Sequence, residues 1–146
     1  MPDKTDLKVL KILMGNARLS YRQMARKAGI STATVISRIR SMQDQGILKG
    51  FTAMLDYEKL GYGMQVAIEI RVSRGRLIEV EKQIAESSNV FAVYDITGGF
   101  DAMVLAKFRD TRQLDSFIKR LQTIPHVERT HTKLILNVIK EEGMRF

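Results

Sequence analysis

Two stretches near the C-terminal end of this 146-residue chain, DAMVLAKF (101–108) and VERTHTKLILNVI (127–139), are apolar in both registers of a β-strand. In the first, Ala102, Val104, Ala106 and Phe108 share one face, and Met103 and Leu105 the other. In the second, Leu134, Leu136 and Val138 alternate with Ile135 and Ile139. A strand with helices on one side and water on the other alternates apolar with polar residues. These two strands therefore require cover on both faces.

The surrounding pattern supplies one cover. It predicts a strand over 64–72 and a helix over 77–87 with Leu77, Val80, Ile84 and Ala85 inward. A strand over 90–97, a Gly98-Gly99 turn and the strand 101–108 follow. A helix over 111–123, carrying Leu114, Phe117, Ile118 and Leu121, is broken at Ile124-Pro125 before the last strand. The order β-α-β-β-α-β is the ferredoxin-like split motif. Two helices cover one face of a four-stranded sheet. A second copy, related by a two-fold axis, is the economical cover for the other, so a homodimer is expected.

The first third of the chain reads differently. Leu7, Leu10, Ile12, Leu13 and Met14 form a helical stripe that stops near Gly15-Asn16, with Asp6 placed to favour its N-terminus. Ser20 reads as an N-cap with Gln23 completing a capping box, and Gly29 ends that second helix. Ser31 caps a third helix that stops at Gly46. The short Ala28-Gly29-Ile30 connection has the length found in a helix-turn-helix. The stretch 47–56 is expected to be an extended strand or wing, and YEKLGYG (57–63) is a turn-rich boundary. The expected class is α+β, with a helix-turn-helix over 1–50, a connector over 51–62 and a ferredoxin-like domain over 63–146.

Charge separates the same two regions. Residues 1–50 hold 10 Lys/Arg against 3 Asp/Glu, while residues 51–146 hold 14 against 13. A basic module beside a balanced one points to a polyanion, most often nucleic acid, met by that module alone. There is no cysteine, so disulfides and thiolate metal sites are excluded. No apolar run approaches a membrane span, and the charged N-terminus resembles no targeting peptide, so a cytoplasmic protein is expected.

The third helix shows what the basic module faces. Val35, Ile39 and Met42 make its apolar stripe. The opposite side offers short side chains and a guanidinium, with no acid before Asp44. Ser31, Thr32, Ala33, Thr34 and Ser37 suit base edges in a major groove, where Ser and Thr bond either base type and Ala meets a thymine methyl. Arg38 and Arg40 lie further along, at flanking phosphates. Arg22, with Arg26 and Lys27, lies on the preceding helix and Lys49 on the wing, where cations set affinity rather than sequence choice. The competing interpretation is a three-helix bundle that docks another protein through a solvated basic face. Arg38 borders the buried stripe, which also suits a packing or ion-pair role.

The segments DLKVLKIL, ARLSYRQMARKAGIS, TVISRIRSMQDQGILKGFTAMLD and KLG, followed by VYDITGGFD and IPHVERTHTKLIL, resemble the Lrp/AsnC (feast/famine) family of transcriptional regulators. The resemblance runs through nearly the whole chain. It implies a winged helix-turn-helix tied to a domain that senses small molecules, usually amino acids, and dimers that join into octamers or larger assemblies. Carried onto this sequence, the family's effector site falls on Thr97, Gly98, Gly99, Phe100 and Asp101, with Thr130, His131 and Thr132. Lys119, on the last helix, would approach the effector side chain.

The chemistry suits an amino acid. Successive N–H groups at Gly98-Gly99 form an anion-binding concavity, and Asp101 is placed to meet an ammonium. The plain alternatives are a hairpin turn at the glycines, a turn-capping role for Asp101 and a solvated helix position for Lys119. No catalytic motif is present, and His126 and His131 alone make a poor zinc site, so neither enzyme activity, nor a metal, nor a cofactor is expected. An effector-independent architectural DNA-binding protein is the remaining alternative. It would discriminate little between operator and random DNA.

Overall fold

The computed structural model describes residues 1–146 and contains two compact units, residues 1–54 with 143–146, and residues 55–142. The first unit is built on α1 (Lys4–Gly15), α2 (Tyr21–Ala28) and α3 (Thr32–Asp44). Asp3 is the N-cap of α1, and Asp6 lies in its first turn, where its charge favours the helix N-terminus. The Asp3 carboxylate accepts from the N–H of Thr5 and Asp6, and the Asp6 carboxylate accepts from the N–H of Asp3. Ser20 and Gln23 form the reciprocal capping box of α2, and Gly29 closes it at φ 67°, in the left-handed region glycine enters without steric cost. Val9, Leu10 and Leu13 of α1, Met24 and Ala25 of α2, and Val35, Ile39 and Met42 of α3 form one core.

The second unit carries β1 (Met64–Val72), α4 (Leu77–Ala85), β2 (Val90–Asp95), β3 (Ala102–Phe108), α5 (Thr111–Thr123) and β4 (Val127–Ile135). The sheet order is β2-β3-β1-β4, antiparallel throughout. Val66, Ile68, Ile70 and Val72 of β1 and Ala102, Val104, Ala106 and Phe108 of β3 are buried against Val80 and Ile84 of α4 and Phe117 and Leu121 of α5. The opposite face carries Ala67, Glu69, Met103, Leu105, Lys133 and Ile135, none of them fully buried within the chain. The two-faced apolar pattern of β3 is thus a sheet with one covered and one open side.

Three sequence expectations need correction. Residues 47–56 form no strand. A strand requires a hydrogen-bonded neighbour, and Leu48 bonds back to the end of α3 while 51–56 find no ladder partner in the chain. The last strand ends at Ile135 and not at Ile139. Its register with β1 runs out where Ile135 pairs with Gln65, one residue past the first residue of β1, so Leu136–Ile139 have nothing to pair with. The helix that starts at Leu77 stops at Ala85, which is exposed, as is Ile78.

Candidate functional site

In the first unit, the outward face of α3 carries Thr32, Ala33, Ile36, Ser37, Arg40 and Ser41, all exposed. Ala33, Ile36, Ser37, Arg40 and Ser41 line one open surface depression, closed at its C-terminal end by Asp44. Ser31 is the N-cap of α3. Its Oγ accepts from Thr34 N–H at 3.0 Å and lies 2.8 Å from Thr34 Oγ1, so these two hydroxyls satisfy each other as well as the helix end. Arg22 on α2 and Lys49 beyond α3 are exposed, and neither has an ion pair. Ile36 is the residue the sequence reading left out. Its position between Ala33 and Arg40 was the available signal, but an isoleucine reads first as core.

Arg38 departs from the expected groove set. Its guanidinium donates to Asp3 at 2.6 Å and to Asp6 at 3.4 Å, which ties α3 to the capping box of α1. The Asp6 N–H, together with Arg38, holds the Asp3 carboxyl below its usual range. Arg40, about two hundred degrees further round the helix, has no such partner. The two arginines are therefore unequal: one fixes the helix and the other is free to meet a ligand.

In the second unit, residues 96–101 join β2 to β3. Ile96 N–H donates to Asp101 O, and Asp101 N–H donates to Ile70 O at 2.9 Å. The Asp101 carboxylate accepts from Val72 N–H at 2.8 Å, so this side chain caps the end of β1 and is not wholly free to pair with an ammonium. The N–H groups of Thr97, Gly98, Gly99 and Phe100 bond to nothing in the chain. Gly98 sits at φ 112°, a conformation open to few residues with a Cβ.

The other effector candidates do not converge on one point within the chain. Thr130 and Thr132 stand opposite Ile70 and Ile68, on the helix side of the sheet, and are half-buried. His131 points to the open side, stacked at 6.0 Å on Phe100, with Nδ1 3.2 Å from Glu69 Oε2. Lys133 also reaches Glu69, at 2.9 Å, and holds that carboxyl below its usual range, with His131 assisting. Lys119 on α5 pairs with Asp115 one turn earlier and is largely exposed, the ordinary state of a solvated helix lysine. Phe100 and His131 are thus brought together, Thr130 and Thr132 are on the opposite face, and Lys119 is engaged elsewhere.

A titratable pair missed in the sequence lies beside that turn. Asp95, at the end of β2, shares the helix side with Ala102 and meets Glu81 of α4. Burial, then the hydrogen bond and negative charge of Asp95, push the Glu81 carboxyl up to about 7, and Glu81 Oε1 is buried with no donor facing it. The folded state therefore holds a proton that the unfolded chain releases near its ordinary value, so stability from this group is lost as pH rises from about 5 to about 8. The melting temperature of the second unit is expected to fall across that window, and Glu81→Gln to flatten the fall. An unchanged slope in the variant would remove Glu81 as its source.

Comparison with known proteins bears on both units. A winged helix-turn-helix DNA-binding domain matches residues 2–49, and the Lrp/AsnC ligand-binding domain matches residues 65–144. The chain belongs to the Lrp/AsnC family. An HTH-type transcriptional regulator of Pyrococcus furiosus is 39% identical over 140 residues, which is 96% of this chain and 95% of that one. Escherichia coli AsnC superposes with a TM-score of 0.91 at 26% identity, covering 99% and 98% of the two chains. A Neisseria meningitidis regulator solved as an L-Met complex shares the fold, with a TM-score of 0.87 at 24% identity over 97% and 94% of the chains. This Lrp/AsnC protein is a DNA-binding transcriptional regulator; its relatives are regulators and not enzymes. No helix is long and apolar enough to cross a membrane.

Proposed function

We propose that this regulator responds to an amino acid whose carboxylate is held by the β2–β3 turn. The observation that carries the proposal is the run of four consecutive unbonded backbone N–H groups, Thr97 to Phe100, beside the Asp101 carboxylate. Such a run offers partial positive charge to an anion, and the free oxygen of Asp101 offers negative charge to an ammonium. The L-Met complex of the Neisseria relative supports an amino acid as the kind of ligand. The half-covered apolar face of the sheet supports a dimer, and a neighbouring subunit would complete a site that these residues only begin within one chain.

On the DNA side, α3 enters the major groove with Thr32, Ala33, Ile36 and Ser37 toward base edges, while Arg40, Arg22 and Lys49 meet phosphates. Arg38 is absent from this set because its guanidinium is held by α1. The effector alters transcription by preferring one assembly of dimers over another.

The test is a thermal-shift screen against the twenty amino acids. A ligand that binds only the folded protein raises the melting temperature by mass action. One or two amino acids are expected to do so in the wild type and not in Asp101→Asn. Asparagine keeps an oxygen for the Val72 N–H while removing the charge that an ammonium needs. A normal response in the variant would place the effector elsewhere. No response to any amino acid in the wild type would leave an architectural or effector-independent DNA-binding protein.

A further inference from the structure

Among the cations of residues 1–50, only Arg38 has an ion pair. Most of the rest lie on or beside the two helices that face the operator. Three do not. Lys4, Lys8 and Lys11 recur on α1 at the spacing that places side chains on one helix face, and all three are exposed. That face is the one opposite the core, because Val9, Leu10 and Leu13 occupy the other side. The two acids of this helix end do not neutralise it. Asp6 lies on the core side and Asp3 at the cap, and both are bonded to Arg38 and to the first turn.

An unneutralised lysine row is unlike the helices of the second unit. There Arg76 pairs with Glu79 at the start of α4, and Lys119 with Asp115 on α5. Like charges one turn apart destabilise a helix modestly. Nothing within the chain offsets that repulsion, so an external anion is the natural partner. The three helices pack around a single shared core, each contributing to it, so their outward faces diverge. A duplex seated on α3 does not lie flat along the outer face of α1.

We infer that the Lys4, Lys8 and Lys11 face of α1 is a second, sequence-independent contact surface for duplex DNA, which binds the phosphates of a stretch other than the one read by α3. The lysines supply point charges without the fixed fork of arginine, which suits a backbone tracked without sequence choice. The inference rests on α3 being the operator-reading helix, which Arg40→Ala tests separately.

The experiment uses the full chain and two short duplexes. One carries the operator and is fixed to beads; the other has random sequence, is fluorescent and is free in solution. Wild-type protein is expected to hold the second duplex on the beads. The variant Lys4→Gln/Lys8→Gln/Lys11→Gln is expected to keep its affinity for the operator within about two-fold while losing second-duplex capture by at least about ten-fold. The salt dependence of that capture should shrink by about three counterions, one for each contact removed. Glutamine has nearly the helix propensity of lysine, so α1 is retained, and the corresponding triple Lys→Arg variant is expected to restore capture.

Three outcomes overturn the inference. Undiminished capture in the glutamine variant would assign the second duplex to α3 of another subunit. An equal loss of operator affinity would place the lysines on the same duplex. Absence of capture by the wild type would leave the face to an acidic protein surface.

Discussion

Arg40→Ala weakens operator binding by about ten-fold or more, and the slope of log affinity against log salt becomes shallower by about one. Arg40 is exposed at the centre of the outward face of α3, shares a depression with Ala33, Ile36 and Ser37, and has no partner in the chain. Its removal is therefore expected to subtract a phosphate contact while leaving the fold intact. Arg38→Ala is the informative companion. That residue holds Asp3 and Asp6, so its loss loosens the junction of α1 and α3 and lowers the stability of the first unit, leaving the salt slope as it was. Fluorescence anisotropy across a salt series separates the two. Identical salt slopes for wild type and Arg40→Ala would remove Arg40 from the phosphate contacts.

Phe117→Ala destabilises the second unit by about 3–5 kcal/mol, the range for truncating a buried phenylalanine. Phe117 is 3% exposed and its ring packs 5.1 Å from that of Phe108, in the layer between α5 and the sheet. The cores of the two units share no residue. Thermal unfolding followed by circular dichroism is accordingly expected to lose its upper or lower step selectively, with the helices of the first unit melting as in the wild type. A uniform shift of the whole transition would mean that the units unfold together.

The sequence made some of this legible and hid the rest for a physical reason. The starts and stops of α2 and α3 are written in local residues: Ser20 with Gln23, Gly29 and Ser31 act within a turn of where they stand. The inward faces of β1 and β3 follow from a period of two and needed no partner to be read. Strand ends are different. Leu136 and Val138 alternate as a strand does, but β1 begins at Met64 and leaves them unpaired. The strand expected over 47–56 is absent for the same reason, since a strand is a property of two segments.

Side-chain commitments made over long range were equally invisible. Arg38 finds Asp3 from 35 residues away, and Asp101 finds the Val72 N–H from 29. Glu81 and Asp95 meet only because α4 lies over β2. In the candidate site, the free N–H groups around Gly98 were legible from the glycine pair. The separation of His131 from Thr130 and Thr132 was implicit in strand alternation.

The Arg38 clasp has a practical meaning for anyone handling the protein. The residue that ties α3 to α1 is held by a carboxylate two positions from Met1, and the Asp3 N–H is itself bonded to Asp6. An affinity tag fused ahead of Met1 would emerge beside that clasp, where its own charges compete for the guanidinium. A tag designed for DNA-binding measurements should therefore be cleavable back to Met1, so that the measurement reports on DNA binding and not on a loosened α1–α3 junction.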